Sequence, residues 1–146
     1  MVTAREKWTR WEPINGLSGK YYLDYFAWSE KGFVVELISG KKEKRIQILF
    51  DDYIDSFRYT NESFCFKIFG DLSDQYGDDF YGDWSFFKVT NSEYLKWLSD
   101  KSRTWSDQIQ FIHFCILGGD EVIDIVTNYE PKVRFIEYKP KVNNIE

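Results

Sequence analysis

Hydrophobic and polar residues alternate along the first third of the chain in a pattern that predicts three β-strands. The segments 20–29, 33–39 and 45–50 are each rich in aromatic or β-branched residues, which favour strands over helices. Turn-forming residues at 30–32 and 40–44 separate them. We therefore expect neighbouring strands to pair as an antiparallel meander.

The alternation continues in the middle of the chain. The segments 53–60 and 63–69 predict a second hairpin that turns around Asn61 and Glu62. A polar stretch at 70–84 follows, and strand-like residues resume at 85–90. The stretch between the two strands is therefore predicted to be a long connection, and long loops in compact domains are often functional.

The hydrophobic period changes from two to that of a helix after residue 90. Thr90 and Glu93 have the spacing of a capping box, in which each side chain satisfies a free amide of the first turn. Tyr94, Trp97 and Leu98 then recur at i, i+3 and i+4, which predicts one apolar helix face.

The last third of the chain predicts two strands around a second short helix. Segment 108–117 is apolar on both faces and is typical of a central strand, whereas 118–129 begins with acids and carries a helical apolar stripe. Segment 132–138 predicts a final strand, and 139–146 is predicted to be a flexible tail.

These elements together predict a single α+β domain over residues 1–138. The sheet should be mostly antiparallel and meander-like, with two short helices in the C-terminal half. A length of 146 residues suits one domain. Hydrophobic residues make up 43% of the chain and aromatic residues 20%, which is enough to form a core and leave rings for the surface.

The charge restricts the class of partner. The net charge is −5 and the isoelectric point is about 5.0, so the long-range field repels phosphate backbones and we expect no direct nucleic-acid partner. The basic run at 40–45 is interpreted as a solvated turn. No segment is long enough to cross a membrane, and the N-terminus lacks an apolar signal segment. We expect a cytoplasmic protein with no membrane partner.

No motif in the chain identifies a reaction. The single histidine, His113, lies in the most apolar segment, and a buried, hydrogen-bonded histidine is the expected reading. Cys65 and Cys115 lie in apolar runs and are expected to be small core residues. One histidine and two separated cysteines do not make a zinc site, and no phosphate-binding glycine pattern is present. We therefore assign no catalytic residue, metal or cofactor.

The stretch 70–84 combines acids with large rings and has no lysine or arginine. Rings provide binding energy at interfaces, and charge complementarity raises association rates. The predicted partner-binding residues are Asp71, Asp74, Tyr76, Asp78, Asp79, Phe80, Tyr81, Asp83 and Trp84. The alternative is a solvated connection whose rings fold back into the core. Calcium is the one metal to consider here, but the spacing of the acids does not match an EF-hand loop.

Segments in three parts of the chain carry a family resemblance. They are "GLSGKYYLDY" near the start, "FRYTNESF" in the middle, and "NSEYLKW", "IQFIHFCILGGDEVIDIV" and "YEPKVRF" towards the end. In this order they resemble small immunity-type proteins of Bacillus-like bacteria, which accompany polymorphic or contact-dependent toxins. The resemblance implies a cytoplasmic antidote that binds one cognate toxin domain. It carries over no functional residue.

The sequence therefore predicts a non-enzymatic protein-binding module, and most specifically an immunity protein that docks an acidic and aromatic surface against a basic toxin domain. Two alternatives stay open. One is a small hydrolase that uses a pair of carboxylates or His113. The other is a homodimeric structural or regulatory domain that pairs through an edge strand or an aromatic patch.

Overall fold

The computed structural model describes residues 5–102 and 110–137 and contains nine strands and three α-helices in this part of the chain. The strands are β1 (Lys7–Arg10), β2 (Tyr21–Ser29), β3 (Gly32–Ser39), β4 (Arg45–Phe50), β5 (Ser56–Asn61), β6 (Phe86–Thr90), β7 (Ile112–Leu117), β8 (Glu121–Thr127) and β9 (Lys132–Ile136). The helices are α1 (Phe66–Tyr76), α2 (Asp79–Gly82) and α3 (Glu93–Ser102), and a short 3₁₀ turn, Glu62–Phe64, precedes α1.

The strands form two antiparallel sheets. The five-stranded sheet has the order β1-β6-β7-β8-β5, and the four-stranded sheet has the order β2-β3-β4-β9. Strands β2, β3 and β4 are consecutive neighbours, as the meander prediction requires. The predicted α+β class with a mostly antiparallel sheet is confirmed, and the central position of β7 agrees with its apolar character on both faces.

Strict alternation places one face of the four-stranded sheet in the core. In β3, Phe33, Val35 and Leu37 are buried, while the residues between them are only partly covered. Their partners on β4 are Phe50, Ile48 and Ile46, which are also buried. The opposite face is polar. On it, the Arg45 guanidinium contacts the carboxylates of Asp24 at 2.6 Å and Glu36 at 2.8 Å. This sheet therefore buries one side only.

The five-stranded sheet is buried on both sides. Its inner face meets the other sheet through ring contacts such as Phe50 with Phe114, whose centroids lie 5.7 Å apart, and Tyr21 with Phe86, at 5.2 Å. Its outer face carries Phe87, which packs against Phe80 of α2 with a centroid distance of 5.1 Å. The helices therefore cover the outer face of this sheet, and the strands at its centre have no wet side.

Two element predictions were wrong. Segment 63–69 was expected to be a strand because apolar residues alternate at 64, 66 and 68. It instead forms the 3₁₀ turn and the start of α1, and two of the three alternating apolar residues, Phe64 and Phe66, are exposed. The apolar residues that follow have helical spacing, with Ile68, Leu72 and Tyr76 four residues apart on the face that packs against the core.

Segment 118–129 was expected to be a helix, but it forms β8 with a turn on each side. All seven residues of β8 are buried, because the strand lies between β7 and β5 and is covered on both faces. Apolar residues therefore point to both faces of the strand, and Val122, Ile125 and Val126 fit helical spacing for that reason. Strand β1 was not predicted, since its four residues are mostly charged or polar.

The predicted helix after residue 90 is confirmed as α3, but its cap differs. Ser92 Oγ accepts a hydrogen bond of 3.1 Å from the Leu95 amide, so Ser92 replaces the predicted Thr90 as the capping residue. Thr90 belongs to β6. Tyr94 is buried, whereas Trp97 is 56% exposed, so the apolar face of α3 is narrower than predicted. The predicted tail at 139–146 lies outside the described residues.

Candidate functional site

The stretch 70–84 is folded, and its rings are directed into the protein. Trp84 is buried and its Nε1–H donates to the Phe86 carbonyl at 2.7 Å. The Tyr76 hydroxyl accepts from the Trp8 amide at 2.9 Å, and the Tyr76 and Phe80 rings stack with centroids 4.2 Å apart. These rings, together with Tyr81, pack against the body of the protein, as in the alternative of a connection whose rings fold back into the core. Partner binding by these residues stays a prediction.

The five aspartates of the same stretch are exposed. Asp83 lies 3.9 Å from the Arg10 guanidinium. Asp71 and Asp74 line a groove of about 500 Å³ between α1, the start of β1 and the start of α3. The other lining residues include two acids and two bases, so the groove has mixed charge: Glu6, Glu93, Arg5 and Lys96. These aspartates remain an acidic surface without aromatic anchors of their own.

Lys20 connects the start of β2 to α2. Its Nζ donates to the Tyr81 carbonyl at 2.9 Å and lies 5.8 Å from the centroid of the Tyr81 ring. Burial lowers the pKa of Lys20 to about 8, and nearby negative charge from groups such as Glu62 only partly opposes this. The ammonium is thus held in a site that favours its neutral form.

A group of hydrogen-bonded polar residues lies between α3 and the five-stranded sheet, buried except for the side chain of Arg58. We call Arg58, Ser92, His113 and Asp124 the polar cluster. His113 Nδ1 and Ser92 Oγ lie 2.7 Å apart, and His113 Nε2 and Asp124 Oδ1 lie 2.6 Å apart. Arg58 donates to Asp124 Oδ2 from Nε and from Nη2, each at 2.9 Å. Ser92, His113 and Asp124 are each no more than 3% exposed.

Aromatic and cationic contacts cover the polar cluster. The Tyr94 ring meets the His113 ring edge-on at 5.4 Å, and the Arg58 guanidinium lies 4.1 Å from the Tyr94 centroid. The Tyr94 hydroxyl is hydrogen-bonded to Ser56. Tyr94 therefore joins α3 to β5 and closes the cluster from solvent.

Electrostatics stabilise the ionised form of Asp124. Burial alone would raise the pKa of this carboxyl, but the hydrogen bond and charge of His113 and the guanidinium of Arg58 outweigh burial and lower it. Burial and the neighbouring carboxylate of Asp124 raise the pKa of the Cys115 thiol well above its usual value. The cluster thus keeps a charged carboxylate and a neutral thiol side by side.

The polar cluster resembles a Ser-His-Asp arrangement in composition but not in access. A nucleophilic serine needs an oxygen that a substrate carbonyl can reach. Ser92 Oγ is buried and already accepts the Leu95 amide as the cap of α3. The expectation that His113 is a buried, hydrogen-bonded histidine is confirmed, and the residues of the cluster mainly tie α3 to β7, β8 and β5.

The same region holds the one group of potential metal ligands found within residues 5–102 and 110–137. Ligand atoms of His113, Cys115 and Asp124 lie within 4.8 Å of one another. Their polar atoms already bind each other, the thiol is held in its neutral form, and Arg58 places a cation beside the carboxylate. These features favour hydrogen bonding over metal coordination. The aspartates of 70–84 form no such group.

Large aromatic side chains are exposed at the free edges of the two sheets. Strand β2 is an edge of the four-stranded sheet, and β5 is an edge of the five-stranded sheet. On β2, Phe26 is 45% exposed and Trp28 is 61% exposed; on β5, Tyr59 is 48% exposed. Phe26 touches Phe57 of β5 with a centroid distance of 5.5 Å. We call Phe26, Trp28, Phe57 and Tyr59 the edge patch.

The edge patch belongs to the faces that point between the sheets. Phe26 and Trp28 pair in register with Val35 and Phe33, which are buried. Phe57 and Tyr59 pair with Ile125 and Ile123, which are buried as well. The rings are thus continuous with the core, and Trp28 contacts the buried Phe33 with a centroid distance of 5.5 Å.

Sequence reasoning missed the edge patch because alternation alone assigns its rings to the core. The signal that was present is compositional, since Tyr25–Ser29 has no charge and no proline, unlike most edge strands. Whether a strand is central or at an edge depends on sheet order, which the sequence pattern does not reveal.

Comparisons with protein-family models, curated proteins and solved structures found no match to this chain. No helix in the described part of the chain has the length and apolarity that a bilayer span requires.

Proposed function

We propose that this chain is a non-enzymatic protein-binding module that docks a basic partner protein on the edge patch. Its most specific form is an immunity protein that neutralises a cognate bacterial toxin domain in the cytoplasm. The observation that carries this proposal is the exposure of Phe26 and Trp28 on β2 and of Tyr59 on β5, two edge strands that meet at the contact of Phe26 with Phe57.

Exposed rings of this size favour burial against a partner. Covering an aromatic side chain removes about 150–250 Å² from water, and each Å² of apolar surface contributes roughly 25 cal/mol. Tryptophan and tyrosine are the residues that most often dominate binding energy at interfaces. Trp28 and Tyr59 are therefore expected to contribute most of the binding energy, and Phe26 and Phe57 add apolar contact surface to the patch.

The charge around the edge patch supports a basic partner. The loop that leads into β5 carries Asp51, Asp52 and Asp55 and no basic residue. Asp51 is paired with Lys132 at 2.7 Å, but Asp52 and Asp55 are exposed and form no ion pair with any of the described residues. Complementary charge at the rim of an interface accelerates association and disfavours acidic competitors.

The aspartates of 70–84 have a secondary role in this proposal. They are exposed on α1, α2 and the adjoining turns and add to a negative field of the whole protein. Such a field steers a basic partner at long range and is screened by salt. The polar cluster has a structural role in this proposal, because Ser92 and His113 are buried and hydrogen-bonded to each other.

A binding experiment with matched variants tests the proposal. The partner is a basic toxin domain encoded beside this chain, and the measurement is its dissociation constant by titration calorimetry. The double variant Phe26→Ser, Trp28→Ser should weaken binding by about a hundredfold, as expected for loss of two anchors. Trp97→Ser is the control, because Trp97 is equally exposed but lies on α3. Binding that only the control weakens would refute the edge patch.

A further inference from the structure

We propose that the partner binds by adding a β-strand to the second half of β2, residues 25–29, in the register set by the outward backbone groups of Phe26 and Trp28. This inference rests on the proposed function and specifies the partner as an extended, basic segment of a protein. Strand addition supplies affinity through main-chain hydrogen bonds and specificity through alternate side chains.

The register of β2 against β3 determines which backbone groups face outward. The Gly40 amide donates to the Lys20 carbonyl at 2.9 Å, so the residues of β3 that bond to β2 are those an even number of positions from Gly40. Beyond the irregularity between Leu23 and Tyr25, these residues pair with Tyr25, Ala27 and Ser29. The backbone groups of Phe26 and Trp28 therefore point away from β3.

The first half of β2 is closed to a new strand. The Tyr21 amide donates to Ser85 Oγ at 3.0 Å, the Tyr21 carbonyl accepts from the Gly119 amide at 3.0 Å, and the Leu23 amide donates to Glu121 Oε1 at 2.6 Å. The approach at Gly119 is close, since a Cβ there would lie 1.8 Å from the Tyr22 ring. The outward groups of this half are thus satisfied within the protein.

The second half of β2 differs in each of these respects. Residues 25–29 pair with β3 alone among the described strands, and no other described residue forms a hydrogen bond with the outward backbone groups of Phe26 or Trp28. The stretch has no charge and no proline. Edge strands normally carry such residues to prevent pairing with another chain, so their absence here favours pairing.

The side chains around the free half of β2 suit a strand of alternating character. Residues of an added strand that face inward would lie beside Phe26, Trp28 and the rings of β5, and would be apolar. Residues that face outward would lie beside Tyr25, which is 49% exposed. An added strand would therefore extend the partly covered edge patch into a buried aromatic layer.

Charge selects a basic segment over a second copy of this chain. Glu30 and Lys31 follow directly after β2 and offset each other in charge, whereas Asp52 and Asp55 lie in the loop that precedes β5, which has no basic residue. The Gly32 backbone approaches Phe50 and Asp51 closely, which brings the β2–β3 turn beside that loop. A symmetric dimer would present these acids on both sides of its interface, whereas lysine or arginine residues in a partner strand would complement them.

The first test uses a short peptide of alternating lysine and valine and the wild-type chain. Binding is followed by tryptophan fluorescence and by amide hydrogen exchange. The peptide should bind and slow exchange of the Phe26 and Trp28 amides, whereas a glutamate–valine peptide should not. A lysine–valine peptide that is N-methylated on alternate residues keeps its charge and side chains but cannot pair. Equal binding of the methylated peptide, or no binding of the parent peptide, overturns strand addition.

The second test separates ring and backbone in the chain itself. Trp28→Ala removes the ring and keeps the outward N–H, and should weaken peptide binding about tenfold. Trp28→Pro removes both and should weaken it by a further factor of about ten. Trp97→Ala should leave it unchanged. Equal affinities of the alanine and proline variants contradict strand pairing, and a dimer that Trp28→Pro dissociates would identify a second copy as the occupant.

The two proposals fail separately. A toxin domain that binds wild type and Trp28→Pro equally overturns strand addition and leaves the protein-binding function standing. If the chain binds the lysine–valine peptide at β2 but binds no toxin domain encoded beside it, strand addition stands and the immunity function is overturned. Circular dichroism and the urea midpoint of each variant verify that the fold is intact.

Discussion

The polar cluster and the edge patch distribute polarity in opposite ways. Arg58, Ser92, His113 and Asp124 are the residues one would search for chemistry, yet three of the four are almost completely buried and bonded to each other. The edge patch consists of residues typical of a core, yet much of its surface is exposed. The comparison indicates that in this fold the buried polar residues stabilise the structure, while the exposed apolar residues are available to bind a partner.

The largest expected effect comes from breaking the polar cluster at its centre. Asp124→Ala leaves the His113 ring and the Arg58 guanidinium without their acceptor, and removal of one partner from a buried pair costs about 3–5 kcal/mol. Urea unfolding followed by fluorescence measures this loss. Asp71→Ala at the exposed groove is the matched control and should change stability by less than about 0.5 kcal/mol. A small loss for Asp124→Ala would show that the cluster does not hold the fold.

Acidification should cause part of the destabilisation expected for Asp124→Ala. His113 and Arg58 hold the pKa of Asp124 in the folded chain below its usual value of 3.8. A lowered carboxyl pKa contributes stability that is present above the unfolded value and is lost as the pH falls through the folded value. Wild type should therefore lose more stability than Asp124→Asn on acidification below about pH 4. Parallel pH profiles of the two proteins would contradict this assignment.

A smaller loss of unfolding free energy is expected when Ser92 of the polar cluster is replaced. Ser92→Ala removes the cap of α3 and one hydrogen bond of His113, which together cost about 1–2 kcal/mol. Ser92→Asp can still cap α3 and tests the cap separately from the imidazole contact. The free energy of unfolding should rank wild type above Ser92→Asp and Ser92→Ala last. A neutral Ser92→Ala would mean that water or another group replaces the hydroxyl.

Lys20 should make the stability rise with pH in the alkaline range. Burial lowers its pKa in the folded chain from the usual 10.5 to about 8, so the unfolded chain binds more protons between these values. Stability should therefore rise with pH from about 8 to about 10.5 through this group. Lys20→Met should remove that rise, and ¹³C NMR of the lysine side chain should show a midpoint near pH 8. A midpoint above pH 10 would contradict the buried setting.

The smallest change in stability is expected on substitution of Tyr21, which lies between the two sheets. Its side chain is fully buried, and its hydroxyl has no hydrogen-bond partner within the described residues. An unsatisfied buried hydroxyl is costly, so Tyr21→Phe should be neutral or stabilise the protein by up to about 1 kcal/mol. Thermal unfolding measures the change. A clear destabilisation would indicate that the hydroxyl is hydrogen-bonded after all.

Much of the fold could be predicted because a strand with one solvent-exposed face has alternating polar and apolar residues in its sequence. Strands β2, β3 and β4 and helix α3 were predicted from alternation and helical period, and all four are present. Strand β8 was mistaken for a helix because its uniform burial erases the alternation that identifies a strand. Helix α1 was mistaken for a strand because Phe64 and Phe66, which are exposed, extend the alternating pattern.

The sites were harder to predict because they depend on distant contacts. Arg58 and Asp124 are 66 positions apart in the chain, and Ser92 and His113 are 21 apart. Only the pairing of β5 with β8 and the packing of α3 bring them together. Composition correctly identified acids and rings as the notable surface material, but placed the exposed rings in 70–84 rather than on β2 and β5.

Amide hydrogen exchange on the complex with a basic toxin domain encoded beside the chain tests the central claim most directly. The account predicts that exchange at Phe26 and Trp28 slows by about tenfold or more on binding, while exchange around Asp71 and Asp74 changes little. Protection confined to the helices that carry Asp71 and Asp74, with Phe26 and Trp28 unaffected, would contradict it.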